Sequence, residues 1–389
     1  MITHILKLLW NKRKSNAMMV LEIMLSFMVL FAVLTFILNN YIKYKSPLGF
    51  DTQDINAVHL SFNQELDSAQ LLETQVLLKQ ALLQNKNITN VAFSTWMLPF
   101  SGSTSSTSND DNGFQLRTKL ADYGEDFFET MGVKIIKGRA FSEEDVGTKY
   151  EPIMISKNFK EEYYPDKEVL DSLLLFGNDE YKICGIFEHF KYQSEFAEEG
   201  NIVFFYLPLG DKDASSLLFR VNSGTPASFE EEVNKTIAGV LKNNDFVIQN
   251  MDNQRKRNSA DIWIPMIALL FISIFLCINV GLGLFGVLWQ NISKRRGEIG
   301  LRRALGAHTT SISFQITAEI LIVTFVGLLI GAFFAIQFPL LKVFDFENSI
   351  YFYAMAISAG VILILVLLCA LYPSRMAARI HPAVALHDE

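Results

Sequence analysis

The sequence predicts a membrane protein of four transmembrane α-helices, with a large two-lobed α+β extracytoplasmic domain between spans 1 and 2. Three observations predict it. Four apolar runs, 17–38, 262–289, 312–338 and 351–372, are each long enough to cross a hydrocarbon layer of about 30 Å. Residues 39–261 hold no such run and alternate strand-like with helix-like patterns, as a folded domain outside the bilayer does. Finally, the net charge of −7 is unevenly spread: Lys7, Lys12, Arg13, Lys14, Lys294, Arg295, Arg296, Arg302, Arg303, Arg375 and Arg379 border the spans, while most Asp and Glu fall between 51 and 252. Positive charge beside a span marks the side that is not translocated, so both termini and 290–311 are expected in the cytoplasm.

Taken in order, residues 1–16 carry apolar residues at helical spacing beside a basic end, which suits an interfacial helix or equally a basic tail. The first span, 17–38, is longer than a signal core and lacks a small-x-small cleavage site, so it reads as retained. It contains Glu22, close enough to the inner end to reach water or a basic neighbour, and read as interfacial or helix-packing before a substrate or proton site. In the outer domain, 57–62, 65–84 and 88–96 read strand, helix, strand, and 217–221, 228–241 and 246–249 repeat that order. Two such units flanking an insertion suggest two lobes, one built from both ends of the domain. Residues 101–113, SGSTSSTSNDDNG, read as an exposed loop.

Span 2, 262–289, has Trp263 and Trp289 placed as interfacial anchors and tolerates Pro265 near its start. Its GLGLFG, 281–286, satisfies G-x-G-x-x-G but has no soluble strand before it, so small-residue helix packing is the better account. In span 3, 312–338, Gly327, Gly331 and Ala335 repeat every four residues and offer one face to a close helix, from this chain or from a second copy. Glu319 is an intramembrane carboxylate, and such a group is either functional or paired with the elbow arginines. A short outer loop, 339–350, leads to span 4, 351–372, ended by Pro373, and to a cytoplasmic tail, 373–389.

The elbow 290–311 is the one dense basic run between two apolar segments. Arg295, Glu298 and Arg302 are spaced three and four apart, so on a short helix they share a face and pair. Charge bias alone explains the arginines but not the interleaved Glu298, Ile299, Gly300 and Gly306. KRRGEIGLRRALGA resembles the R-x-x-E-I-G-[LIV]-R-[RK]-A-[LI]-G-A signature of MacB/FtsX-type ABC transporter permeases. The stretches 121–145, 151–166 and 181–192 resemble segments of the MacB-type outer domain, and PSRMAARIHPAVALHDE the family's closing segment. The family's G-K after the second of those outer segments is missing, where 168–175 reads EVLDSLLL.

This resemblance implies a permease that transmits ATPase conformational change across the inner membrane to export or extrude a substrate. It assigns Arg295, Arg296, Glu298, Arg302, Arg303 and Gly306 to ATPase coupling. The chain has no G-x-x-x-x-G-K-[ST], so it is expected to bind no cofactor itself, with ATP and Mg carried by a separate P-loop ATPase, two copies per complex. A second permease chain, identical or paralogous, is expected because four spans enclose no symmetrical pathway. An outer-membrane channel, a periplasmic adaptor or a cell-wall hydrolase would be further partners, and nothing suggests nucleic acid. The alternative is an FtsX-like regulator that activates a cell-wall hydrolase and moves no cargo. No catalytic or metal site is expected: Cys184, Cys277 and Cys369 lack ligand spacing, and Glu188 and His189 read as a polar pair at a strand end.

Overall fold

The computed structural model describes residues 13–62, 66–101, 105–109, 116–226, 228–242, 245–344 and 346–378. The expected interfacial helix falls largely, and the tail positions from Arg379 onward wholly, outside these residues. The chain divides into an outer unit, 43–262, and a helical unit formed by 1–42 and 263–389.

Helix α1, Arg13–Lys45, is the first of four helices long and apolar enough to cross a membrane. In the outer unit the order is β1 (Ile55–Ser61), α2 (Ser68–Leu83), β2 (Ile88–Ser94), β3 (Ser105–Asn109), β4 (Leu116–Tyr123), α3 (Phe127–Met131), β5 (Ile135–Gly138), β6 (Glu151–Ser156), α4 (Lys157–Tyr163), β7 (Leu173–Phe176), β8 (Asp179–Phe187), β9 (Ile202–Tyr206), β10 (Ser216–Val221), α5 (Ser228–Leu241) and β11 (Asp245–Asn250). The strands form one sheet in the order β11-β1-β10-β2-β4-β9-β6-β8-β5, with β3 added on β4 and β7 on β8.

Two lobes are visible in that order. The first joins both ends of the domain: β11, β1, β10 and β2 are antiparallel neighbours, and α2 and α5 cover them. Helix α2 starts where Asp67 and Gln70 satisfy each other's backbone N–H groups in a capping box. Its Leu78 and Leu82 meet Val58, Leu217 and Phe219 in the lobe's core. The second lobe, β4 to β9, has its own core around Ile153, Ile155, Phe159 and Val203. Only one residue pair, Ser94 with Tyr123, links β2 to β4. What unites the lobes is a third core, in which Ile55, Ala57, Ala92 and Leu218 of the first lobe join Tyr123, Phe127, Phe187 and Phe204 of the second, with Tyr123 stacked on Phe127 at 3.5 Å and Phe187 on Phe204 at 4.5 Å.

The expected loop at 101–113 is corrected: 105–109 is strand β3, antiparallel to β4 from Ser105 opposite Leu120 to Asn109 opposite Leu116. A polar run without apolar alternation pairs as an outermost strand because the ladder bonds are backbone bonds. At 168–175, where the family segment departs, Asp171 adopts φ +62° and leads into the β7–β8 hairpin. Glu188 and His189 do not pair with each other: Glu188 meets Lys134 at 2.9 Å and the His189 ring meets Glu199 at 2.9 Å.

Helix α6, Met251–Lys294, follows β11 without a break and runs through Pro265. The elbow helix α7, Arg296–Ala304, then α8, Thr309–Ala335, the short α9, Gln337–Leu340, and α10, Asn348–Ala378, complete the chain. Pro373 does not end the last helix as expected. Proline costs one ladder bond, which long apolar helices tolerate, and α10 continues to Ala378.

Within the helical unit α1, α6, α8 and α10 share one core that includes Ile23, Phe27, Leu284, Val323 and Ala354. The small-residue face of α8 is filled from the same chain. A Cβ on Gly327 would lie 2.9 Å from Ile23 and one on Gly331 2.6 Å from Phe27, while Ala335 is fully buried. Of the two partners the spacing left open, α1 of the same chain is the one that packs on this face.

Candidate functional site

Helix α7 is a nine-residue helix docked by one face. Ile299 is buried with Ile312 and packs against Ile292, Ala307 and Ile316. Its end is set by Gly306 at φ +92°. The Gly306 N–H donates to the Arg303 carbonyl at 3.1 Å and the Ala307 N–H to that of Arg302 at 3.0 Å, the paired bonds of a Schellman stop. The A-L-G-A of the elbow is thus a helix terminator whose left-handed position suits glycine.

The charged face closes into a ring of five side chains. Arg295 meets Glu319 at 2.9 Å and Glu298 at 3.9 Å. Arg302 pairs with Glu298 and donates to Gln315 Oε1 at 3.0 Å, and Gln315 donates to Glu319 Oε1 at 3.3 Å. Two positive and two negative groups with a bridging amide leave the ring neutral, so α7 is bolted to α8 without excess buried charge. Arg295, Glu298 and Arg302 come together as their spacing requires, and Glu319 joins them. Gln315 was not anticipated, although it lies four residues before Glu319 on the same helical face. The ring borders a small cavity of about 60 Å³ that Met19, Ile320 and Val323 also line.

Much of the rest of α7 is open. Arg296 and Gly297 are exposed, and Leu301 and Leu305 are 53% and 80% exposed. Arg303 turns back on the helix end, donating to the Ala307 carbonyl at 3.4 Å. Away from the elbow, Glu22 stands against Gly283 of α6, where a Cβ would lie 2.5 Å from its Oε1. The glycine of GLGLFG makes room for a carboxylate between two helices.

A second polar cluster, in the outer unit, went unread in the sequence. Lys191, 1% exposed, donates to the carbonyls of Lys43, of Ser46 at 3.2 Å and of Glu195 at 3.0 Å. It thereby supplies donors at the end of α1, where helix carbonyls lack partners. Burial holds its ammonium below the ordinary lysine range. The Glu195 side chain accepts from Ser259 Oγ at 2.5 Å and Arg255 at 3.3 Å, both on α6. One short loop thus grips the outer residues of both α1 and α6. Nothing in a lone lysine among aromatic residues signals this from sequence. Among the described residues no group of His, Cys, Asp and Glu could hold a metal.

Residues 17–236, more than half of the chain, match the MacB-like periplasmic core domain, and residues 268–382 match the FtsX-like permease C-terminal family. The macrolide export ATP-binding/permease protein MacB of Campylobacter jejuni is 23% identical over 290 residues, 70% of this chain and 45% of that protein. Its counterpart in Chromobacterium violaceum is 24% identical over 283 residues, 68% of this chain and 42% of that protein. The chain therefore spans less than half the length of these relatives. The periplasmic region of MacB from Actinobacillus actinomycetemcomitans aligns over 55% of this chain and 97% of its own, with 15% identity and a TM-score of 0.37. With the two family matches covering its outer domain and its last three spans, the chain belongs to the MacB/FtsX-type ABC transporter permeases.

Proposed function

We propose that this chain is the membrane subunit of an ATP-driven export machine and that α7 is where a separate P-loop ATPase grips it. The observation that carries this reading is the division of α7 into two faces. One is bolted to α8 through the neutral ring, and the other presents Leu301 and Leu305 to solvent. Exposed leucines four apart on a short helix are a hydrophobic docking stripe that a partner's groove would bury.

In this mechanism ATP-driven closure of two ATPase copies moves α7, and the ring passes that motion to α8. Helices α1 and α6 carry it toward the outer unit, where Lys191 and Glu195 hold both. Two permease chains, identical or paralogous, would move their outer domains against each other and act on cargo or on an adaptor and channel beyond. ATP and Mg belong to the partner, and the chain sits in the inner membrane with both ends in the cytoplasm. The MacB-like outer domain favours this reading over hydrolase control.

The test is affinity purification of the tagged chain from native membranes. A stoichiometric P-loop ATPase is expected with the unaltered chain, and its loss with Leu301→Asp plus Leu305→Asp at unchanged membrane abundance. Absence of any ATPase from the unaltered complex, or its full retention by the variant, would overturn the assignment.

A further inference from the structure

The outer domain contains a cleft of about 340 Å³ that the coupling elements do not reach. It opens where the two lobes meet. The first lobe contributes Leu72 and Val76 from α2 and Phe93 from β2, and the second contributes Tyr206 from β9, with Leu209 beyond it. Glu125 and Asp126, just before α3, and Glu143, in the turn after β5, supply carboxylates at its edge.

The charge of this lining is one-sided. Lys79 is its single cation among the described residues, and it is already engaged by Glu125 at 3.0 Å and Asp126 at 2.5 Å. Glu143 is exposed and makes no ion pair among the described residues. Three carboxylates against one ammonium leave an excess of two negative charges beside an aliphatic wall. The Tyr206 hydroxyl registers the same field, pushed up to about 12 by burial and then by Glu125, Asp145, Glu143 and Asp126.

We infer that this inter-lobe cleft is a binding site for a small amphiphilic organic cation, its apolar body against Leu72, Val76 and Leu209 and its ammonium at Glu143 and Glu125. The volume lies in the range of drug-sized pockets, and the mixture of apolar wall with a few convergent polar groups is typical of them. An anion would meet like charge at the rim. A neutral hydrophobe would desolvate the carboxylates without return. A bare metal ion would find aliphatic walls where it needs ligands. Because the walls belong to lobes whose strands share one ladder pair, an occupant would add to the bracing that Lys79 gives with Glu125 and Asp126. The site stands whether or not α7 docks an ATPase.

The test uses the full chain in lipid nanodiscs, titrated with the fluorescent primary amine dansylcadaverine and with its neutral N-acetyl derivative, empty nanodiscs serving as the blank. Saturable binding of one amine per chain is expected, about tenfold tighter than the acetylated probe, the discrimination that ~1.4 kcal/mol of charge recognition gives. Glu143→Gln should weaken the amine about threefold and leave the acetylated probe unchanged, as suits one exposed charge. Leu72→Arg, at a position 42% exposed, should abolish saturable binding while the chain's thermal unfolding is unchanged. Equal affinity for the two probes, saturable binding that survives Leu72→Arg, or no saturable binding at all would each overturn the site.

Discussion

The membrane helices are gripped by opposite means in the two units. In the outer unit a buried lysine reaches backbone carbonyls at the end of α1, and a carboxylate of the same loop holds α6. At the elbow a ring of side chains, Glu298 and Arg302 partly exposed and Arg295 and Glu319 largely buried, joins α7 to α8. Backbone acceptors cannot turn away, so the first grip fixes position. Side chains near water exchange partners at little cost, so the second holds α7 while leaving it adjustable. The contrast suits a chain that receives motion at one place and delivers it at another.

The largest effect expected from breaking this contrast is at Lys191. Lys191→Met keeps the apolar stem but leaves three carbonyls without their donor, at a cost of about 3 kcal/mol. It should appear as a lower thermal unfolding midpoint and faster hydrogen exchange at 44–48, with exchange in α7 unchanged. Next comes Arg295→Met, which strands the 15% exposed Glu319 side chain. About 2 kcal/mol of local stability is expected to be lost, read as faster exchange across 296–304, and Arg295→Met with Glu319→Gln should recover much of it. If the single variant left α7 exchange unaltered, the ring would not be what holds the elbow. The smallest effect is at Gly306, where Ala must adopt φ +92°. Gly306→Ala should cost about 1 kcal/mol and fray only the last turn of α7.

Much of this was legible beforehand because it depends on period and spacing. The apolar runs announced the four spans, and the strand-helix-strand pattern at each end of the outer domain announced a lobe closed by β1, β10 and β11. Arg295, Glu298 and Arg302 followed from helical geometry alone. Long-range partners were not legible. Lys191 lies far in sequence from Lys43, and nothing in its place between Phe190 and Tyr192 names a partner. Strand β3 was missed because serine and threonine lent it a turn-like composition. Proline at 373 misled because a soluble-helix rule was applied to a membrane helix.

The single pair between β2 and β4 has a mechanical consequence. Sliding one packed layer over another is a shear motion, and its resistance depends on what must be torn. Here the ladder contributes one residue pair, Ser94 with Tyr123, and the remaining resistance comes from the shared apolar core and from polar links, Arg220 donating to the Thr130 carbonyl at 2.8 Å and Lys79 meeting Glu125 at 3.0 Å. Apolar contacts trade one offset for another at little cost, whereas those polar links would have to break or follow the slide. With one ladder pair against five between β1 and β10 and six between β10 and β2, that seam is where the outer domain carries the least backbone bonding to resist a slide.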